Sequence, residues 1–210
     1  MSSYTVRDWV TIGLFGALWG ALELTLGSAL HVIFPSQANT FFTGLIMGGI
    51  GVTIALTGRR FVPRRGSVML IAVVTALVKL LSPGGRKIGA FVAILIQGLL
   101  METVLWLTAR PRRWTFLLGG ALAVAWNLPH KFVMMRLVYG RSAAQVYQKL
   151  VGEGSQMLGL DPSLALLILG ILLAVRLAVG AVGGGVGWWL GDAVTQRLGE
   201  RASSAGEASH

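Results

Sequence analysis

Apolar residues in this chain come in long runs separated by short polar, arginine-bearing or Gly/Pro-bearing breaks. The runs fall at about 9–33, 41–57, 67–82, 88–109, 114–128 and 163–190. Most approach the roughly 20 residues that a helix needs to cross a bilayer. The pattern predicts an all-α integral membrane protein, with six transmembrane helices in a compact bundle that forms one domain over residues 1–200. The third and fifth runs are short, which predicts partial spans or helices that continue into ordered loops on one side. The segment 129–162 is expected to be an external cap with a surface-lying amphipathic helix, because Val138, Val146, Leu150 and Val151 recur at roughly helical spacing. The tail, 201–210, has the composition of a disordered segment. The first run is too long for a signal-peptide core and holds Glu23, so it is expected to be retained as a helix.

Composition agrees with the pattern. Of 210 residues, 54% are hydrophobic and 12% charged, and the mean hydropathy is +0.72. A soluble domain could hardly cover itself with so little polar surface. A net charge of +10 would suggest nucleic acid in a soluble protein, but here the arginines sit in short loops between apolar runs. Arg59, Arg60, Arg64 and Arg65 lie in TGRRFVPRRG, and Arg110, Arg112 and Arg113 in ARPRRW. The positive-inside rule places both loops, and therefore both termini, in the cytoplasm of a cell whose inner (plasma) membrane holds the protein. The cap carries Lys131, Arg136, Arg141 and Lys149, a load that long external segments tolerate better than short ones. No basic helix stands outside the bilayer to bind nucleic acid. There is no Cys, hence no disulfide, thiolate metal site or cysteine nucleophile. The histidines, His31, His130 and His210, make no metal cluster, and the glycine-rich stretches lie inside apolar spans, where they serve packing rather than phosphate binding. No cofactor is expected.

Ionisable groups at membrane depth are costly and usually face protein or a cavity. Four stand out: Glu23, Lys79, Glu102 and Arg176. A rise of about 1.5 Å per residue puts Glu23 and Lys79 at one level towards the outside, and Glu102 and Arg176 lower down. The second couple is expected to be a buried ion pair that fixes helix register. Glu23 and Lys79 are candidates for an outward-facing pocket with Gln97, Trp126, Asn127 and His130. In AWNLPHK, Pro129 interrupts the fifth helix and frees backbone carbonyls, an arrangement tolerated only against a cavity or other protein. Such a pocket suits a small molecule with hydrogen-bonding groups and a ring.

The first run contains GALWGALELTLG, residues 16–27. At about 100° per residue, Gly13, Ala17 and Ala21 form one stripe, and Trp19 and Glu23 point to nearly the opposite side. Small residues four apart allow another helix to approach closely in lipid, either within this chain or from a partner.

The chain resembles the substrate-binding S components of energy-coupling factor (ECF) transporters, with ALWGA (Ala17 to Ala21) matching the Ala-x-x-x-Ala pattern of their first helix. KLLSPGGRKIGAFVAILIQGLLME, from Lys79 to Glu102, also looks like the region of the third and fourth helices in members that take vitamin precursors. The resemblance implies six helices and ATP-driven uptake by a complex. This subunit would capture a vitamin or related micronutrient from outside, and a T component and two cytoplasmic ATPase subunits would supply the energy. It further implies that Gly13, Ala17 and Ala21 dock the T component, that PSQANTFFTG (Pro35 to Gly44) forms a lid, and that Gly44, Gly48 and Gly49 leave the second helix easy to repack. The lack of an N-terminal His-rich motif disfavours the nickel and cobalt members. Two other readings remain: a small intramembrane enzyme using Glu23 or Glu102 as base on a lipid, which needs its polar groups at one level, and a ligand-free assembly protein with every buried charge paired.

Overall fold

The computed structural model describes the backbone of residues 4–33, 36–81, 87–108, 111–137, 140 and 142–207; side chains of 31–33, 36–40, 87 and 198–207 lie outside the description. The described chain is helical, in the order α1 (Val6–Ile33), α2 (Ser36–Phe61), α3 (Ser67–Leu80), α4 (Lys87–Trp106), α5 (Arg113–Ala125), α6 (Asn127–Leu137), α7 (Ala143–Leu158), a 3₁₀ turn (Pro162–Leu164) and α8 (Ala165–Glu207). Four stretches are long and apolar enough to cross a membrane: Val6–Leu30, Phe41–Phe61, Ile88–Trp106 and Pro162–Arg197. The third apolar run folds as a shorter helix, Ser67–Leu80.

Local chemistry explains most boundaries. Helix α2 ends at Phe61, just before Val62-Pro63, because proline disfavours helical backbone in the residue ahead of it. Gly66 then takes a left-handed φ of 89° and turns the chain into α3. Pro129 has no N–H to give to the Ala125 carbonyl, and there α5 gives way to α6 through a turn at Trp126. The break is slight, since Trp126 N–H still reaches Leu122 O and His130 N–H still reaches Trp126 O. At the start of α7, Ser142 and Gln145 cap each other's backbone, and Gly159 closes the helix with a φ of 65°.

Two expectations are corrected, and a third is given its form. The segment expected as a lid loop, Pro35 to Gly44, is helical from Ser36, because no proline or glycine follows Pro35 before Gly44 to stop a helix. The expected disordered tail has helical backbone as far as Glu207, since its Ala, Arg and Glu residues are good helix formers and no proline intervenes; residues 208–210 lie outside the description. The expected cap is two helices, α6 and α7. Val146, Leu150 and Val151 are buried on one side of α7 as their spacing suggests, and Val138 lies outside the described residues.

Six helices close into a ring in the cyclic order α1, α3, α4, α5, α8, α2, each packed on its two neighbours. Small residues set how closely they approach. A Cβ at Gly16 or Gly20 would lie 2.6 Å from Val74 or Val78 of α3. Gly51 makes room for the Trp19 ring, which is 1% exposed. Gly120 and Gly180 bring α5 and α8 together backbone to backbone, and Gly184 does the same against Phe116. The core between them is filled by Val52, Leu56, Ile71, Met101, Phe116 and Val124.

Candidate functional site

At the end of the bundle away from the α2–α3 loop, polar side chains gather from several helices. Lys79 of α3 places Nζ 3.3 Å from Glu23 Oε2 and donates to the Glu23 backbone carbonyl at 3.0 Å. Both side chains are largely shielded, at 17% and 14% exposure. Gly27 and Met47 border this pair. Across the bundle, buried Gln97 of α4 donates Nε2–H to Asn127 Oδ1 at 2.8 Å. Asn127 in turn donates Nδ2–H to Gly44 O at 3.2 Å, which ties the α5–α6 break to α2. His130 Nε2 lies 2.9 Å from Gly89 O; a carbonyl only accepts, so Nε2 carries the proton. Burial pushes His130 below the usual histidine range, and the Gly89 bond offsets part of that. The Trp126 ring lies 6.3 Å from the His130 ring, and its indole N–H is buried with no hydrogen-bond partner among the described residues.

The predicted pocket residues thus form three polar groups around one end: the Glu23 and Lys79 pair, the chain from Gln97 through Asn127 to Gly44, and the Trp126 and His130 couple. On α1, Trp19 and Glu23 face inward, and Ala17 and Ala21 are exposed. A Cβ added at Gly13 would meet nothing within 4 Å, and Leu14 and Leu18 on the same side are 66% and 48% exposed. The spacing argument missed the second small-residue stripe of this helix, Gly16 and Gly20, which takes up the packing against α3.

The expected ion pair between Glu102 and Arg176 does not form. Glu102 accepts the backbone N–H groups of Gly66 at 2.6 Å and Val68 at 3.0 Å, and so anchors the start of α3. That is a strong site for a carboxylate, since a helix N-terminus offers unpaired N–H groups and a favourable dipole. Beside it, Arg59 donates to Ser67 Oγ at 3.1 Å. Arg176 sits near the other end of α2, with its guanidinium 4.6 Å from the centre of the Phe41 ring. Depth counting placed the two charges at similar levels but carried no information on the loop amides that reach Glu102.

Near Arg176, Lys131 of α6 makes a 2.5 Å bond to Glu153 of α7, and Lys149 lies 3.8 Å from the same carboxylate. Burial pushes Lys131 below the usual lysine range, with Glu153 pulling it back. The Lys131 and Glu153 pair was not singled out from sequence. A lysine and a glutamate in a predicted external segment read as solvated, and only the folding of α7 onto α6 and α8 buries them. Among the described residues no cluster of His, Asp and Glu could hold a metal ion.

A comparison with curated proteins finds no match. Among solved structures, a protein described as an S-component of an ECF transporter has a similar fold, with a TM-score of 0.61 and 19% identity over 98% of each chain. A family model described as a hypothetical bacterial integral membrane protein, Trep_Strep, matches residues 6–198. With nearly its whole length matched, the chain belongs to the Trep_Strep family of bacterial integral membrane proteins.

Proposed function

We propose that this chain is the substrate-capture S component of an ECF-type importer, which takes up a vitamin or related micronutrient with a T component and two cytoplasmic ATPase subunits. The observation that carries the proposal is the likeness in fold to an S component over 98% of both chains. Binding and transport, rather than catalysis, are the work of such a subunit. Under this reading the arginine-rich α2–α3 loop and both termini face the cytoplasm, and the ring helices make six crossings. Thirteen-residue α5, about 20 Å long, is a short crossing under this reading, and α6 begins the external cap beyond it.

The substrate would enter from the end where Glu23, Lys79, Gln97, Trp126, Asn127 and His130 gather. The unpartnered indole N–H of Trp126 supports this placement, because a buried donor gains most from a ligand acceptor. Ala17, Ala21 and Gly13 form the proposed docking face for the T component; they are small, Ala17 and Ala21 are exposed, and a Cβ at Gly13 would meet nothing within 4 Å among the described residues. Co-expression with T and ATPase subunits tests the reading: affinity-tagged chain is expected to bring both down, and Ala17→Trp to abolish that assembly while ligand binding persists. Capture that is the same for Ala17→Trp would refute the docking face, and failure of the unmodified chain to bring down either subunit would refute the S-component reading.

A further inference from the structure

The Arg176 guanidinium is the most exacting group in this molecule. Its residue is 3% exposed, and its Nε and Nη1 are buried with no hydrogen-bond partner among the described residues. A buried guanidinium without an anion is costly, and such a charge at membrane depth marks a functional position more often than a structural one. The Phe41 ring, 4.6 Å away, offers it a π-face, but a ring face satisfies none of the in-plane N–H donors. Arg176 lines a small cleft with Phe41, Leu128, Lys131, Glu153 and Leu172. Within that cleft Lys131 has an anionic partner, Glu153 at 2.5 Å, whereas Arg176 forms no ion pair with it.

We infer that Arg176 and Lys131 together bind an anionic group, carboxylate or phosphate, of the molecule this subunit captures, with Phe41 packing against its apolar part. This deepens the S-component reading and rests on it. The planar fork of arginine matches the two oxygens of a carboxylate or phosphate, and such charge-assisted pairs are the strong ones in a shielded site. Glu153 is the built-in competitor: its carboxylate occupies Lys131 until a second anion draws that ammonium towards Arg176. One wall of the cleft is α7, through Leu150, Glu153, Gly154 and Met157.

The test uses the purified full chain in detergent, with inorganic phosphate or benzoate replacing chloride at constant ionic strength. Thermal unfolding is followed for the unmodified chain and for Arg176→Met, Arg176→Lys and Glu153→Gln. One or both probes are expected to raise the midpoint saturably. Glu153→Gln should bind more tightly, and Arg176→Met at least roughly tenfold more weakly, through loss of the bidentate contact. A response to phosphate alone assigns a phosphoryl group, and a response to benzoate alone assigns a carboxylate carried on a ring. If Arg176→Met does not fold, Arg176→Lys carries the comparison, because it keeps the charge and loses the fork. No saturable response in the unmodified chain, or an equal response in the Arg176 variants, overturns the inference. A chain that assembles with its transporter partners yet fails this test refutes the anion site alone; a chain that passes it but recruits no partners refutes the S-component reading alone.

Discussion

Glu102 illustrates how a carboxylate survives in an apolar bundle without a cation bonded to it: two backbone N–H groups, of Gly66 and Val68, satisfy it. Removing it leaves both donors unpaired in a buried place. Glu102→Ala is therefore expected to cost about 2–4 kcal/mol, and Glu102→Gln, which keeps one acceptor oxygen, about half of that, as read by unfolding in detergent. An equal and small loss for both would show that the anchor carries little weight. His130 gives a prediction in pH. Its ring is held below the ordinary histidine value by burial, so on acidification the unfolded chain takes up its proton first. The stability tied to His130 is thus fully present above about pH 6.5 and is lost as pH falls from there towards the folded value. The ring resonances of His130 should titrate below the ordinary value, and His130→Gln should flatten the acid limb of the stability profile. A midpoint at or above the ordinary value would contradict the buried geometry. Sequence reasoning put Glu23 and Lys79 at one level along their helices, and the structure brings the two within 3.3 Å. The same reasoning failed at Glu102 and Arg176, because one-dimensional depth along a helix carries no information on which loop or ring lies opposite.

Helix α1 carries two stripes of small residues only about 100° apart, and they do different things. Gly16 and Gly20 face α3, where a Cβ would already stand 2.6 Å from Val74 or Val78, whereas Ala17 and Ala21 are exposed. Gly16→Leu or Gly20→Leu should separate α1 from α3 and cost about 1–3 kcal/mol. Ala17→Leu should change the stability of the isolated chain by no more than about 0.5 kcal/mol. Equal losses at the glycine and alanine positions would show that the two faces have been assigned the wrong way round. The sequence pattern alone could not rank the stripes, since both repeat at four residues and the difference lies in the valines that α3 presents. At the cap, Ser142 accepts the Gln145 N–H at 3.2 Å. Ser142→Ala is expected to weaken α7 by about 1 kcal/mol, visible as faster amide exchange in its first turn and unchanged exchange in α8. Turn chemistry of this kind is readable from Ser-x-x-Gln, but that α7 folds back over α6 and α8 is not.

At the scale of the molecule, each of the six apolar runs folds as one ring helix, with ends off by up to about five residues, save that α8 continues to Glu207 where its run ended at about 190. The cyclic order of the ring was not legible, because it depends on glycine contacts such as Gly120 with Gly180 and Gly184 with Phe116 that join residues far apart in sequence. The proposed orientation is open to a direct test, helped by the absence of native cysteine. Ala144→Cys, exposed on α7, should react with a membrane-impermeant maleimide in intact cells, and Arg112→Cys, exposed ahead of α5, only after permeabilisation. The opposite pattern would invert the topology and place the Arg176 cleft on the cytoplasmic side.

The length of α8 has a mechanical consequence. Its 43 residues make a rod about 65 Å long, roughly twice the thickness of a hydrocarbon core. The rod is clamped to α2 near the arginine-rich loop, where Arg60 pairs with Asp192 and lies 4.2 Å from the centre of the Trp188 ring. Beyond that clamp residues 194–197 are exposed, and the helical backbone runs on to Glu207. A slight tilt of the bundle therefore becomes a wide sweep at the far end of the rod, and whatever grips that end gains leverage over how the whole protein leans in the membrane.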